Sequence, residues 1–142
     1  MSHEITLEVA ELMPQAAKRK AAELKIIEDI AVVDATGHLK AFVRMDGAWL
    51  GSIDIAIRKA PTARLFDIET FEIGKMSQLG ESIYGVELSN GGLISFGGGI
   101  PLKDADGTVI GAIGVSGSSV DNDVKVAEAA VEAYYDPRFT TA

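Results

Sequence analysis

A glycine-rich stretch from residue 91 to residue 123 constrains the fold of this chain more than any other feature. Its sequence, GGLISFGGGIPLKDADGTVIGAIGVSGSSVDND, predicts a strand, a glycine corner, a strand, a tight turn, a glycine-bearing strand and the start of a helix. The corner is formed by Gly97, Gly98 and Gly99, whose backbone lacks Cβ atoms and can therefore adopt positive φ or let another group approach closely. Pro101 then fixes the backbone as the chain leaves the corner.

Glycines also interrupt the apolar run from Val109 to Val115, at Gly111 and Gly114, and Gly117 follows just beyond it. A strand gives up side-chain packing at such positions where something presses against it. The spacing does not match the dinucleotide fingerprint, and the required strand, glycine loop and helix with a later acid are missing. These glycines therefore indicate close strand packing rather than a nucleotide site.

Hydrophobic periodicity predicts two helices and a hairpin in the first half of the chain. The helical patterns cover residues 6–24 and 49–66, and the hairpin joins residues 30–34 to residues 39–44. Each helical pattern contains one proline, which removes a backbone donor and predicts a bend or a restart. These prolines are Pro14 and Pro61.

The second half of the chain adds further elements on both sides of the glycine-rich strands. A short helix is predicted over residues 69–77, with Asp67 as a possible cap, and a strand fragment over residues 83–88. The last helix is predicted over residues 120–135 and is capped by one of the two serines before it. Hairpin-linked strands form an antiparallel sheet, so the element order predicts a single α+β domain over residues 1–142, with helices covering the sheet.

Composition limits the possible partners. The net charge is −8 and the isoelectric point is about 4.7, which argues against nucleic acid or an anionic membrane as a partner. There is no cysteine, which excludes disulfides, thiolate metal sites and cysteine nucleophiles. No apolar run approaches the roughly 18 residues of a membrane span, and the N-terminus lacks the pattern of a secretory signal. We therefore expect a cytoplasmic protein.

The candidate ligand site combines two cations with the glycine corner. Arg44 and Asp46 end the second strand of the hairpin, and Ser52 and Lys59 lie two turns apart on one face of the next helix. The corner at Gly97–Gly99 would supply bare backbone amides. Such a set suits an anionic or carbonyl-bearing small ligand. The structural alternative is an ion pair that anchors the corner, formed by Asp46 with Arg44 or with Lys59.

Other polar motifs favour structural roles. Asp104-x-Asp106-Gly107 resembles the start of a calcium loop but lacks the later glutamate, so it predicts a turn and no metal site. Only His3 and His38 could supply an imidazole, and neither has a context that suits a Ser-His-Asp arrangement. His38 lies at the tip of the predicted hairpin and is most simply a solvated turn residue.

Several of these segments together resemble the GlcG/HbpS family over nearly the whole chain. The resembling segments are Ala31–Asp34, Arg44–Ala48, Ser52, Lys59–Ala60, Thr62–Ala63, Gly98–Pro101 and Gly111–Gly117. The segment Gly80–Gly85, with Ser89-Asn90 after it, is most similar to members linked with diol and glycerol utilisation. These include the C-terminal domain of the PduO adenosyltransferase and the OrfY-type stand-alone proteins.

The resemblance implies a profilin-like α/β sandwich and homo-oligomers, often octamers. It also implies that some members bind haem or a corrinoid-related partner, whereas much of the family has no established reaction. The sequence departs from this pattern because its first helix contains no histidine and because Pro61 interrupts a helix that other members leave without proline. For a haem iron, His3 and His38 are the only candidate imidazole ligands, and tyrosine, methionine or an oxygen ligand is the alternative.

Three functions follow as hypotheses. The first is an oligomeric small-ligand-binding protein, with haem or a corrinoid-related cofactor as candidate ligands, in diol, glycerol or glycolate-type metabolism. The second is a small cofactor-independent enzyme for an aldehyde or hydroxy acid, with Lys59 as a base or Schiff-base amine and Arg44 as a binding group. The third is a structural partner of a diol-utilisation enzyme. The first is favoured because no conventional catalytic set is visible.

Overall fold

The structure, a computed structural model, describes residues 4–140. This part of the chain forms four strands and five α-helices, and one 3-10 turn, Val86–Leu88, lies in the longest connection. The strands are β1 (Asp29–Asp34), β2 (Leu39–Arg44), β3 (Gly99–Lys103) and β4 (Val109–Ser116). The helices are α1 (Leu7–Glu23), α2 (Gly51–Phe66), α3 (Thr70–Met76), α4 (Val120–Tyr135) and α5 (Pro137–Thr140).

The strands form one antiparallel sheet in the order β2-β1-β4-β3. Tight turns make β1–β2 and β3–β4 into hairpins, and β1 pairs with β4 to join the two hairpins. Asp29 lies opposite Arg44 on one side and opposite Ser116 on the other. The α+β class and the antiparallel sheet predicted from the sequence are thus confirmed.

Helices cover both faces of the sheet, and the two faces differ in side-chain size. Helices α1 and α4 pack on the face that carries the large core, which includes Met13, Ile30, Ile113 and Val126. Helix α2 packs on the other face through small residues that let the helix approach the sheet closely. These small residues are Val33, Ala60, Ala63 and Ala112.

Both long N-terminal helices continue through their prolines. Pro14 lies inside α1 and Pro61 inside α2, and neither ends its helix. Each proline removes one backbone donor, but the tertiary contacts of the two helices with the sheet keep them helical. Of the alternatives predicted at Pro61, a restart of the helix is therefore wrong. The predicted serine cap of α4 is confirmed, because the hydroxyl of Ser119 accepts a 3.2 Å hydrogen bond from the amide of Asn122. Thr6 caps α1 in the same way, with a 3.2 Å bond from the amide of Val9.

Three local predictions are wrong. Residues 83–88 contain the 3-10 turn instead of a strand, and the segment before the glycine corner, residues 91–96, is not a strand either. The connection between α3 and β3 holds Gly80, Gly85, Gly91 and Gly92 at positive φ, which interrupts an extended chain. Asp67 does not cap α3, because it is the left-handed residue that ends α2, and Glu69 precedes α3 instead.

No helix within residues 4–140 combines the length and the apolar character needed to cross a bilayer.

Candidate functional site: a buried charge cluster and three clefts

Lys59 lies in α2 and is the largest fully buried side chain of the described chain, with no exposed surface. Its ammonium nitrogen donates a hydrogen bond of 2.7 Å to the carbonyl oxygen of Val115 and one of 3.2 Å to Oδ2 of Asp123. Burial lowers the pKa of Lys59 below its usual range, and the nearby charge of Asp123 opposes this effect. Lys59 is therefore a buried cation held by two oxygen acceptors.

Three glycines make room for Lys59. A Cβ atom on Gly98 would lie 2.6 Å from the Lys59 ammonium nitrogen, and one on Gly99 would lie 2.5 Å from the Lys59 carbonyl oxygen. A Cβ atom on Gly114, which pairs with Gly99 across the sheet, would lie 3.0 Å from Cβ of Lys59. The glycine corner and the glycines of β4 therefore admit the lysine and its helix, which confirms that β4 is closely packed.

Asp123 lies in the first turn of α4 and is almost fully buried. Its Oδ1 accepts a 3.0 Å hydrogen bond from the backbone amide of Ser118, while Oδ2 accepts the bond from Lys59. The positive end of the helix macrodipole also stabilises a carboxylate at this position. Asp123 thus carries the negative charge that balances Lys59. Of the ion pairs considered from the sequence, Lys59 with Asp46 is wrong.

Glu28 completes the cluster from the residue just before β1. It is fully buried, and its two carboxyl oxygens receive hydrogen bonds from no donor in residues 4–140. Burial, then a hydrogen bond to Asp123 and the charge of Asp123, raise the pKa of Glu28 to about 9, although the charge of Lys59 lowers it. Glu28 is therefore protonated at pH 7, and its carboxyl O–H donates a hydrogen bond to Asp123. We call Lys59, Asp123 and Glu28 the Lys59 cluster.

The other residues of the predicted site lie apart from this cluster or play another part in it. Arg44 is exposed at the end of edge strand β2. Burial raises the pKa of Asp29, and the charge of Arg44 opposes this effect in part. Asp46 is exposed in the loop after β2, and Ser52 is buried in the first turn of α2.

The amide of Gly99, in the glycine corner, is not free, because it donates a 2.9 Å hydrogen bond to the hydroxyl of Thr70. The structure thus brings Lys59 and the glycine corner together and leaves Arg44 and Asp46 at the surface, while the ligand-binding role of the whole set stays a prediction.

An aromatic ring lies between Lys59 and solvent. The ammonium nitrogen of Lys59 is 5.0 Å from the centre of the Phe96 ring, and Phe96 is 40% exposed. Phe96 also lines a cleft of about 250 Å³, which we call the Phe96 cleft. The remaining walls of this cleft include Phe71, Lys75, Gln78, Gly97 and Val120.

Two further clefts open on other parts of the surface. The α1–β2 groove, of about 370 Å³, runs between helix α1 and edge strand β2, and its lining includes Leu7, Lys18, Lys40 and Phe42. The Trp49 cleft, of about 400 Å³, lies where the α1–β1 connection meets the β4–α4 turn. Its walls are mainly apolar and include Ile26, Ile27, Trp49 and Gly117. Among the described residues, neither lysine nor arginine lines the Trp49 cleft.

The structure offers no metal centre in residues 4–140, where no group of three histidine, cysteine or acidic side chains could hold an ion. The turn predicted at Asp104–Gly107 is confirmed, because Oδ1 of Asp104 accepts bonds from the amides of Asp106 and Thr108. His38 lies exposed at the β1–β2 turn, with Nδ1 2.8 Å from the hydroxyl of Thr36, and lines none of the three clefts. His3 lies outside the described residues.

Sequence reasoning found Lys59 and the corner but missed Glu28, Asp123 and Phe96. One signal was available for Glu28, because it interrupts an apolar segment, Ile26 to Val33, that leads into the central strand β1. Asp123 lies in the first turn of α4, where acidic residues are common, so the sequence gives no sign of its contact with Lys59. Its contact with Lys59 spans 64 positions in sequence and depends on how α2 and α4 meet the sheet.

Comparison with known proteins gives consistent matches. A family model described as "Haem degrading protein HbpS-like" matches residues 5–132. An uncharacterized 15.0 kDa protein in the dhaT-dhaS intergenic region of Citrobacter freundii is 41% identical over 131 residues, which are 92% of each chain. Klebsiella pneumoniae protein ORFY superimposes with a TM-score of 0.90 at 38% identity, covering 94% of this chain and 93% of that one. A PduOC:Heme complex superimposes with a TM-score of 0.86 at 33% identity, covering 91% and 94%.

Proposed function

Because the chain belongs to the HbpS-like family, we propose that it binds haem, or a related flat ligand with acidic side groups, in the α1–β2 groove. The observation that carries this proposal is the combination of apolar and cationic side chains along one groove. Support from relatives is a solved haem complex of PduOC, which shares the fold at 33% identity. The ligand of this chain itself is inferred from the groove.

The groove suits the body and the acidic groups of such a ligand. Leu7 on α1, together with Val43 on β2, whose side chain faces α1, offers apolar contacts to a ring. Lys18 and Lys40 stand on the two walls and can pair with the two propionates of haem. The Trp49 cleft is slightly larger but has no cation among its lining residues, so it matches the ring and not the propionates.

The iron has a weaker match than the ring. Glu11 and Gln15 provide oxygen atoms in the groove, and no histidine, methionine or tyrosine of residues 4–140 lines it. When bound, haem supplies an iron centre that exchanges ligands and electrons, with a potential set by its axial ligand. The part of the chain in this groove would bind the ring, pair with the propionates and offer the iron an oxygen. Most of the affinity is therefore expected from the ring and the propionates.

The proposal includes a homo-oligomer, with the octamer as the expected form. Large apolar side chains lie exposed on several parts of the described surface, with Leu88 91% and Leu79 86% exposed. Clusters of such side chains are typical of surfaces that pack against another molecule. A role in diol or glycerol metabolism is proposed from the resemblance to members linked with diol and glycerol utilisation, which the PduO and dhaT-dhaS relatives support.

Titration of the purified protein with haemin and with iron-free protoporphyrin tests the ligand and the groove together. We expect the two dissociation constants to agree within about tenfold, because an oxygen ligand adds little to the affinity from ring and propionates. Removing both cations, as Lys18→Ala with Lys40→Ala, should weaken both ligands about tenfold, since an exposed charge pair contributes up to about 1 kcal/mol. Lys103→Ala, on the far edge strand β3, is the matched control and should leave both constants unchanged.

Two outcomes would contradict this assignment. If Trp49→Ala weakens binding and the double lysine variant does not, the ligand occupies the Trp49 cleft. If His3→Ala with His38→Ala abolishes the Soret shift, the iron takes a histidine ligand that the groove does not contain. Cobalamin titrated under the same conditions tests the corrinoid alternative.

The enzymatic alternative, with Lys59 and Arg44, stays a prediction. The lowered pKa of Lys59 favours it, but the side chain has no exposed surface in this structure and Arg44 lies on a different part of the molecule. Lys59 would need an opening toward solvent before it could meet any ligand. The role as a structural partner of a diol-utilisation enzyme also stays a prediction.

A further inference from the structure

We propose that the Phe96 cleft is a second binding site, in which a small neutral carbonyl compound takes the place of the Phe96 ring and accepts a hydrogen bond from Lys59. This site is separate from the α1–β2 groove, so the proposal stands independently of haem binding. It rests on the unused donor of Lys59, the position of Phe96, and the charge balance of the Lys59 cluster.

Among residues 4–140, only two oxygen atoms accept hydrogen bonds from the Lys59 ammonium group, which leaves one donor without an oxygen acceptor. An ammonium group carries three N–H donors. Two of them bind the carbonyl oxygen of Val115 and Oδ2 of Asp123, at 2.7 and 3.2 Å. Within residues 4–140, the Phe96 ring, with its centre 5.0 Å from the nitrogen, is the third contact of the ammonium group. A ring face attracts a cation, but it satisfies a buried N–H less well than an oxygen does.

Phe96 is placed so that it can yield to a ligand. It is partly exposed, it lines the cleft, and it lies between Ser95 and Gly97 in a segment without helix or strand. A cation–π contact contributes about 0.5–2 kcal/mol, and a hydrogen bond from a charged donor about 1.5–3 kcal/mol. Exchanging the ring for a carbonyl oxygen therefore leaves the lysine at least as well satisfied.

Charge selects the ligand class. Lys59 is positive, Asp123 is negative, and Glu28 is protonated, so the cluster is neutral at pH 7. A carboxylate ligand would place a second negative charge beside Asp123 with no further cation to balance it. Lys75 at the rim does not supply that cation, because it already pairs with Glu72 at 3.0 Å. A neutral aldehyde or ketone accepts a hydrogen bond from the free N–H of Lys59 without adding a second negative charge.

Shape limits the ligand further. The cleft holds about 250 Å³, below the roughly 300–1,000 Å³ typical of pockets for drug-sized ligands. Phe71 and Val120 give it apolar walls. The expected ligand is therefore a carbonyl compound with a short apolar body.

The test uses the wild-type protein labelled with ¹⁵N, titrated with butanone and, separately, with butanoate. We expect butanone to shift the amide signals of Gly97 and Gly98 with a millimolar dissociation constant, and butanoate to bind at least fivefold more weakly. Phe96→Ala removes the ring that covers Lys59 and should tighten butanone binding about threefold to tenfold. Phe71→Ala widens the same cleft but leaves in place the Phe96 ring that contacts Lys59, so it should not tighten binding.

The lysine is tested with a variant that keeps the cluster neutral. Lys59→Met alone would leave Asp123 buried without its counter-charge, so it is combined with Asp123→Asn, whose side-chain oxygen can still accept from Ser118. This double variant should weaken butanone binding at least fivefold while its ¹⁵N spectrum stays that of a folded protein. If it does not fold, the comparison of Phe96→Ala with Phe71→Ala decides.

Three results would overturn the proposal. Butanoate binding as tightly as butanone would remove the charge argument. Equal butanone affinity in wild type and Phe96→Ala would show that the ring does not cover the site. Unchanged affinity in the folded double variant would show that Lys59 does not hold the carbonyl.

Discussion

Replacing Glu28 by glutamine should stabilise the protein at neutral pH. Glu28 is fully buried and protonated, and it donates to Asp123. In Glu28→Gln the side-chain amide keeps a donor toward Asp123 and has no proton to lose. The wild-type protein, in contrast, must hold a proton that its unfolded chain releases above a pKa of about 4.5.

The size of the effect follows from proton linkage. Because the folded pKa of Glu28, about 9, is raised above the ordinary value of 4.5, its contribution to stability is full below pH 4.5 and is lost as the pH rises toward 9. One proton corresponds to about 1.4 kcal/mol per pH unit, which gives an upper limit of about 3 kcal/mol at pH 7. Gly117 lies beside Glu28 and also lines the Trp49 cleft. Water in that cleft reduces the free-energy cost of holding the proton on Glu28. We therefore expect Glu28→Gln to be more stable by about 2 kcal/mol at pH 7.

Urea unfolding at fixed protein concentration, measured from pH 5 to pH 8, tests this reasoning. The stability difference between Glu28→Gln and wild type should grow steadily with pH, by up to about 1.4 kcal/mol per unit. Glu28→Ala is the matched control, because it also removes the titrating group but leaves a cavity. Its pH dependence should run parallel to that of Glu28→Gln at lower stability. A wild-type protein that is as stable as Glu28→Gln at pH 7, with the same pH slope, would refute the protonated state of Glu28.

Three further predictions follow from the structure. Gly98→Ala should cost about 3 kcal/mol by urea unfolding, because its φ is +125° and the new Cβ would lie 2.5 Å from the Val115 carbonyl oxygen and 2.6 Å from the Lys59 nitrogen. Gly107→Ala, at φ +83° with nothing within 4 Å, should cost only about 1 kcal/mol, and equal losses would contradict the close contacts of Gly98. Ser119→Ala should lower stability by about 1 kcal/mol through loss of the α4 cap, and no loss by thermal unfolding would show that the 3.2 Å bond to Asn122 contributes nothing. Light scattering at micromolar concentration should give a homo-oligomer, and a species of about the 15.0 kDa chain mass would remove that proposal.

Long periodic segments made most of the fold predictable. The apolar stripes of α1 and α4 and the β-rich runs of the first hairpin placed these elements within one or two residues of the structure. Their local patterns and their tertiary contacts favour the same conformation. The structure of the connection from Ser77 to Gly98 was harder to predict. Its short apolar runs favour strands, but several of its glycines have positive φ, which prevents an extended conformation.

The candidate site was only partly predictable. The glycine corner showed that something approaches the backbone closely, and the structure identifies it as Lys59. Which acid would neutralise Lys59 depended on how two helices from distant parts of the chain meet the sheet. The sequence offered Asp46, thirteen positions away, whereas the folded chain brings Asp123. Burial in the folded protein also raises the pKa of Glu28, so its protonated state could not be predicted from the sequence.

A crystal structure of the protein grown with haemin tests the proposed function most directly. We expect a porphyrin in the α1–β2 groove, with its ring against Leu7 and Val43 and its propionates paired with Lys18 and Lys40. We also expect that no histidine ligates the iron. A haem bound in the Trp49 cleft, or one held through a histidine, would contradict the proposed function.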